Sequence, residues 1–282
     1  MCFEEKYPKK LLQIKEYPEK LYYMGNVNLL SYNKIIAIVG SRDCTEYGRK
    51  YANIFAKELS ENGICIISGM ALGIDTAAHY GAIQNIGKTI AVLGGGLEQI
   101  YPQENQWLYN QILQNGGCII SEYEDNKEAV LSTFPKRNRI ISALADAVIV
   151  IEAKSRSGSK VTAKYAKEQG KNVYCIPMNL DSKNSSGIVD LIKNGAKIVT
   201  STKQIIADLY NENAKKYDKV EKLKVNIPKE YEEIYNLLKE EQARDEIAIK
   251  TNKKIEEINS ILTIMELEGY IKQTAGNNFK AM

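Results

Sequence analysis

The string FPKRNR (134–139) places three cations directly after an aromatic residue. A cation neutralises a phosphate and an aromatic ring stacks on a nucleobase, so this string is a simple unit for holding single-stranded nucleic acid. We expect Lys136 and Arg137 to contact phosphates, with Asn138 between the cations in the same site. For Arg139 a phosphate contact and an internal salt bridge are both open. For Phe134 base stacking and a buried hydrophobic plug are both open.

Two further segments combine cations with serine and glycine, GSRDCTEYG (40–48) and EAKSRSGSKVTA (152–163). Glycine-rich turns expose backbone N–H groups to an anion, and cationic side chains add charge. The residues that we expect to contact a ligand here are Gly40, Ser41, Arg42, Ser157, Gly158, Ser159 and Lys160. Arg42 is predicted to clamp a phosphate, with an ion pair to Asp43 or Asp75 as the alternative. Either serine of the second segment has helix capping as its alternative role.

Two glycine-rich segments, SGMALGIDTAAH (68–79) and GGGLEQIYP (94–102), complete the candidate site. The residues predicted to take part are Ser68, Gly69, Gly73, Gly94, Gly95 and Gly96. Glycine allows either a close approach of the backbone to a ligand or a tight turn, and the sequence leaves both open. His79, the single histidine, is expected to be structural, with a catalytic base as the alternative.

Short apolar runs that alternate with helix-like segments must position these residues. The strands predicted from these runs are Ile35–Val39, Ile64–Ile67, Thr89–Leu93, Cys118–Ile120, Ala147–Ile151, Asn172–Ile176 and Lys197–Val199. The predicted helices are Glu46–Asn62, Asp75–Asn85, Glu104–Asn115, Ser159–Gln169 and Gly187–Asn194. Strands that are apolar throughout indicate a parallel sheet covered on both faces. We therefore predict a Rossmann-like, doubly wound α/β domain over residues 35–210, with the ligand at the carboxyl ends of its strands.

The two ends of the chain have a different character. Residues 1–34 are predicted to form an extended arm that packs on the core, and residues 211–226, rich in Lys, Asn and Glu, to form a linker. Residues 227–282 predict a small winged-helix domain, with helices at Pro228–Glu240, Asp245–Lys250 and Ile255–Glu268 and a hairpin around AGNN. Its third helix is acidic, and duplex DNA would be repelled. This favours protein contact or regulation over binding to duplex DNA.

Several classes of function are disfavoured. The first strand is not followed by GxGxxG, and no GxxxxGK[ST] string occurs, so neither a dinucleotide cofactor nor P-loop ATP hydrolysis is expected. Five cysteines without CxxC spacing and one histidine predict no metal site. The acidic residues at the start, and apolar runs far below the roughly 20 residues of a membrane span, predict a cytoplasmic protein without a membrane span. The net charge of +3 neither demands nor excludes nucleic acid.

The strings AIVGSR, SGxAxGIDxxAH, TIAVLGxGLxxIYPxEN, FPxRNRIIS and EAxxxSGSxxTA occur in this order, and together they resemble the DprA/Smf family of DNA-processing proteins. The resemblance covers residues 7 to about 205. It implies a homodimer without catalytic activity or nucleotide cofactor, which binds single-stranded DNA, protects incoming strands and loads RecA recombinase in natural transformation or recombination. The departures from the family pattern are Leu72 in place of Arg, Lys160 in place of an apolar residue, and Met178 in place of Gly.

Two other classes remain as alternatives. Related Rossmann-like folds hydrolyse nucleoside monophosphates, but they use a PGGxGTxxE loop whose Thr and Glu are absent from GGGLEQIYP. A transcriptional regulator that acts through the winged helix is the other, and the acidic third helix counts against it.

Overall fold

A computed structural model describes residues 7–84, 88–210, 228–267, 270–274 and 276–281. The chain divides into two compact units, residues 1–216 and 217–282. The predicted linker, 211–226, lies outside the described residues, so its prediction stays untested.

The first unit is built on an eight-stranded sheet. The strands are β1 (Tyr22–Gly25), β2 (Ile35–Gly40), β3 (Cys65–Ser68), β4 (Thr89–Val92), β5 (Cys118–Ser121), β6 (Ala147–Ile151), β7 (Asn172–Cys175) and β8 (Lys197–Ile198). Their order across the sheet is β1-β5-β4-β3-β2-β6-β7-β8, and every pair is parallel except β1 with β5. The predicted α/β fold with a mostly parallel sheet is therefore confirmed.

Helices cover both faces of this sheet. They are α1 (Glu46–Glu61), α2 (Ile74–Ile83), α3 (Gln106–Gln114), α4 (Thr133–Leu144), α5 (Gly158–Glu168), α6 (Ser186–Lys193) and α7 (Thr202–Leu209). Alternate residues of β2 point to opposite faces, so Ile35 and Ala37 join one buried apolar cluster and Ile36 and Ile38 join another. Because both faces are buried, the strands read as continuous apolar runs.

The N-terminal segment does more than pack on the core as an arm. Residues 22–25 form β1, which pairs antiparallel with β5 and extends the sheet at its edge. The Lys10 ammonium lies 2.8 Å from the Asp146 carboxylate, whose other oxygen accepts a hydrogen bond from the backbone N–H of Ile35. Leu11 and Leu21 are fully buried. The segment is therefore an integral part of the first unit.

The string FPKRNRIIS, which none of the predicted helices included, lies entirely inside α4. Pro135 lies in the first turn of this helix, where the backbone N–H groups have no intrahelical partner and proline is tolerated. The helix continues through Ile140, Ile141 and Leu144, all of which are buried. This correction matters because a helix, unlike a loop, directs successive side chains to different sides.

The second unit contains α8 (Glu232–Leu237), α9 (Arg244–Thr251) and α10 (Ile255–Leu267) with a small sheet of β9 (Gln242–Ala243), β10 (Ile271–Gln273) and β11 (Asn278–Ala281). The predicted hairpin is present as the antiparallel pair β10 and β11, but the helix predicted at Pro228–Glu240 is shorter and follows a 3-10 turn. Ile234, Ile247, Ile258 and Leu262 belong to its apolar core. Within the described part of the chain, no helix is long and apolar enough to cross a membrane.

His79 is a buried histidine whose protonation can be followed through the stability of the fold. It is fully buried on α2, and its Nδ1 lies 2.7 Å from the Thr89 hydroxyl. Burial, with a smaller contribution from the positive charge of Arg137, lowers the pKa of His79 to about 3. The unfolded chain takes up a proton near pH 6.5 that the folded chain does not, so the stability from neutral His79 is complete above that pH and declines as the pH falls.

We expect the free energy of unfolding to fall by about 2 kcal/mol between pH 7 and pH 5 through this residue. The measurement is urea unfolding at several pH values for the wild type and His79→Leu. The difference between the two proteins isolates His79 from Asp75, whose pKa is raised by burial. Identical pH profiles would show that His79 titrates normally in the folded chain.

Candidate nucleic-acid interface

A groove of about 380 Å³ opens at the carboxyl ends of β2 and β6. In the strand order, β3 lies on one side of β2 and β6 on the other, so the connections diverge at this point. Open α/β sheets bind their ligands at such a switch point. The walls come from the segments after β2, β3 and β6 and from one side of α4.

Half of the predicted contact residues line this groove: Gly40, Ser41, Arg42, Phe134, Arg137, Asn138, Ser157, Gly158 and Ser159. The predicted residues outside its lining are Ser68, Gly69, Gly73, Gly94, Gly95, Gly96, Lys136, Arg139 and Lys160. Four charged residues that line it were absent from the predicted contacts: Asp43, Asp75, Lys154 and Arg156.

Arg42 and Phe134 form the most distinctive feature of the groove. The Arg42 guanidinium carbon lies 5.1 Å from the centroid of the Phe134 ring, which is a cation–π contact. Arg42 is exposed, and it forms no hydrogen bond or ion pair with any other described residue. Neither Asp43 nor Asp75, the predicted alternative partners, pairs with it. Phe134 is half-buried and keeps part of its ring at the groove.

The N-terminus of α5 forms the opposite part of the groove. The Ser157 hydroxyl caps this helix by accepting a hydrogen bond from the Ser159 N–H at 3.2 Å. The Asn138 side-chain amide donates to the Gly158 carbonyl at 3.1 Å, which holds the start of α5 against α4. A helix N-terminus favours an anion, and the exposed side chains of Lys154 and Arg156 add positive charge beside it.

Arg137 lies beneath the groove. Only 4% of its surface is exposed. Its guanidinium donates to the carbonyls of Gly69, at 2.7 Å, and of Val92, and its Nε donates to Asn138. Burial lowers its pKa to about 10, so it stays charged at neutral pH. These hydrogen bonds fix α4 to the ends of β3 and β4. The role that the sequence predicted for Arg137 was a phosphate contact.

The other two cations of FPKRNR point away from the groove. Arg139 forms a buried salt bridge with Glu122 at 2.7 Å and donates a hydrogen bond to the Glu16 carbonyl. Of the two roles left open for Arg139, the internal salt bridge is therefore the one present in the structure. Lys136 is exposed, 3.5 Å from the same carboxylate and above the Tyr123 ring. Positions 136, 137 and 139 of a helix lie at different angles around its axis, which explains why the three cations point in different directions.

Lys160, the third predicted cation outside the lining, is bound on the flank of α5. Its ammonium lies 2.8 Å from the Asp190 carboxylate and donates to the Ser155 carbonyl at 2.9 Å.

The glycines chiefly allow the protein to pack against itself. A Cβ at Gly69 would lie 2.5 Å from the Arg137 guanidinium, and one at Gly94 would lie 2.8 Å from the Phe134 ring. Gly95 and Gly96 face the backbone of residues 124–129, Gly73 faces the backbone of residues 41–42, and the Ser68 hydroxyl donates to the Ile38 carbonyl. Close packing against side chains of the protein itself, which is neither of the two roles that the sequence left open, accounts for Gly69 and Gly94.

The acids of the groove are engaged internally. Asp43 pairs with Lys183 at 2.9 Å and lies 3.8 Å from Lys154; hydrogen bonding and charge from Lys183 lower its pKa. Asp75 is buried and accepts hydrogen bonds from the N–H groups of Gly69 and Ala71. His79 is absent from the groove lining. No group of three His, Cys, Asp or Glu within the described ranges could hold a metal ion. The exposed cations and the Phe134 ring give the groove groups that can contact an anion and a flat apolar group.

Comparisons with known proteins identify the family to which the chain belongs. The family model described as DNA recombination-mediator protein A matches residues 1–210. DNA processing protein DprA of Streptococcus pneumoniae is 45% identical over 202 residues, which are 72% of this chain and 71% of the relative. Protein Smf of Escherichia coli is 41% identical over 205 residues, 73% of this chain, and the match spans only 54% of that relative.

Two solved structures are similar in fold and sequence. One describes the single-stranded DNA binding mode of DNA processing protein A from Helicobacter pylori, with a TM-score of 0.69 and 34% identity over 75% of this chain and 96% of that one. The other is DprA from Streptococcus pneumoniae, with a TM-score of 0.69 and 43% identity over 74% of each chain. The chain therefore belongs to the DprA/Smf family of DNA-processing proteins.

Proposed function

We propose that the groove binds single-stranded DNA with little dependence on sequence. The observation that carries this proposal is the exposed Arg42 guanidinium above the half-buried Phe134 ring at the switch point of the sheet. Arg42 holds a phosphate while Phe134 stacks the adjacent base. A second phosphate lies at the N-terminus of α5, between Lys154 and Arg156. The Helicobacter pylori relative, described as binding single-stranded DNA, supports this assignment.

The wider role that we propose is protection of incoming single strands and their delivery to RecA recombinase in natural transformation or recombination. The protein acts in the cytoplasm as a homodimer without catalytic activity. Family membership and the internally engaged acids of the groove support this role. The second unit serves as a winged helix for protein contact, since Glu256 and Glu257 are exposed at the start of α10 and disfavour duplex DNA.

The first experiment measures binding of the full chain to oligo-dT over a series of salt concentrations, beside a blunt duplex of equal length. We expect tighter binding to the single strand, and an affinity that falls steeply with salt because each phosphate contact releases counterions. Equal affinity for both DNAs, or a salt slope near zero, would contradict the proposal. Hydrolysis of nucleoside monophosphates by the pure protein would favour the enzyme class instead.

Salt titration also separates the roles of the two central residues. Arg42→Ala should flatten the log–log salt slope by roughly one unit, because one phosphate contact is lost. Phe134→Leu should cost roughly 1–3 kcal/mol and leave the slope almost unchanged, because stacking releases no counterions. Arg49→Ala, which removes an exposed arginine of α1 outside the groove, is the matched control. Normal binding by both groove variants would place the DNA elsewhere.

Asp43 supplies a prediction of opposite sign. Because its carboxylate holds Lys154 and Lys183, Asp43→Asn should free both cations and remove a negative charge from the groove. We expect about fivefold tighter binding to oligo-dT at low salt and a steeper salt slope. Asp208→Asn makes the same charge change at an ion pair with Lys197 outside the groove lining and should have no effect. Weaker binding by Asp43→Asn would mean that this carboxylate supports the site.

A further inference from the structure

Tyr101 is an exposed aromatic residue in the segment after β4, and nothing in the predicted site uses it. More than half of its surface, 54%, is exposed. Its hydroxyl forms no hydrogen bond with the other described residues. The ring has a single aromatic neighbour among them, Phe134, with the ring centroids 5.5 Å apart and the planes tilted by 36°. Tyr101 therefore continues the contact of Arg42 with Phe134 into a row of three side chains.

We propose that Tyr101 is a second base-stacking ring, which takes the nucleobase next to the one on Phe134. The inference rests on the proposed binding of single-stranded DNA in the groove. The two rings already contact each other, so a base stacks on the open side of Tyr101 and does not insert between them. Successive bases can therefore stack on the Phe134 ring and on the Tyr101 ring, whose centroids are separated by a distance typical of aromatic pairs.

The charges on either side of the row indicate which ligand fits it. Arg42, Lys154 and Arg156 line the groove together with Phe134, whereas the exposed charged residues in the segments that flank Tyr101, Glu98 and Glu104, are acidic. A ligand with anions at one end and a flat apolar group at the other matches this arrangement. Single-stranded nucleic acid has both along one chain, with each base next to a phosphate. Leu131, 85% exposed and lining the groove, adds apolar surface at the rim.

The test compares Tyr101→Leu, Tyr101→Phe and Tyr80→Leu for binding to a short oligo-dT of about six nucleotides. Tyr80 is the matched control because it is exposed to a similar degree, 45%, but its ring pairs with Trp107, whereas that of Tyr101 pairs with Phe134. We expect Tyr101→Leu to weaken binding about tenfold with an unchanged salt slope. Tyr101→Phe and Tyr80→Leu should bind as the wild type does, because the ring and not the hydroxyl makes the contact.

A fluorescent variant provides a second measurement. Trp107 is the only tryptophan, so Tyr101→Trp combined with Trp107→Phe places a single indole in the row. Single-stranded DNA should quench its fluorescence, since stacking on a base quenches indole.

The outcomes separate this inference from the proposed function. Normal binding by Tyr101→Leu and no quenching, together with weakened binding by Phe134→Leu, would overturn the role of Tyr101 and leave the groove assignment intact. Equal weakening by Tyr101→Phe and Tyr101→Leu would overturn stacking in favour of the hydroxyl. Absence of single-strand binding by the wild type would overturn the proposed function itself.

Discussion

The hydrogen bonds of the Arg137 guanidinium join α4, which forms one wall of the groove, to the ends of β3 and β4. A buried charge is costly unless it is fully paired, and removing its partners typically costs about 3–5 kcal/mol. Here the carbonyls of Gly69 and Val92 accept its N–H groups, and the nearby Asp75 carboxylate supplies the opposite charge. Because these acceptors lie at the ends of β3 and β4, the cation fixes α4 to the sheet edge.

The position of Phe134 in the groove follows from the hydrogen bonds that hold Arg137. Phe134 lies one turn before Arg137 on α4, so the depth at which Arg137 is buried determines how far the Phe134 ring rises into the groove. Gly94 leaves room for that ring, as Gly69 does for the guanidinium. Arg42 and Arg137 are both positive and close enough to repel each other, which favours a solvent-facing position for Arg42, above the Phe134 ring. The buried arginine thus helps to present the exposed one.

A groove of this kind is suited to binding without sequence preference. Base identity is recognised by hydrogen bonds to base edges, whereas contacts to phosphates and stacking on base faces are shared by all sequences. Several polar side chains of the groove are already engaged: Asn138 with Gly158 and Arg137, Asp75 with two backbone N–H groups, and Ser157 with Ser159. The groups that the proposed function assigns to the ligand are the cations, the start of α5 and the aromatic rings.

The sequence predicted the parts of this site that depend on local pattern. Apolar runs identified the parallel strands because burial on both faces leaves few other residue types possible, and the strand order then brought residues 40–43 and 157–159 together. The sequence did not predict the directions in which the side chains of α4 point. Whether Arg137 or Lys136 turns inward depends on where the helix begins, and Pro135 obscured that start. Tyr101 was absent from the predicted contacts because the three glycines of GGGLEQIYP are the stronger sequence signal, although they face the protein interior.

The modest net charge of the chain, +3, bears on how the protein would hold and release a polyanion. Residues 1–210 contain 25 Lys and Arg against 21 Asp and Glu. Many of these charges are paired, and even in the groove Asp43 binds two lysines. Each cation left free raises the affinity for a polyanion and makes the bound polyanion harder to release. If the protein hands its strand to RecA, as proposed, a groove with few free cations and a stacking surface for grip suits that task. On that proposal, each nucleotide is held by its own phosphate and base contacts, which a second protein can replace one at a time.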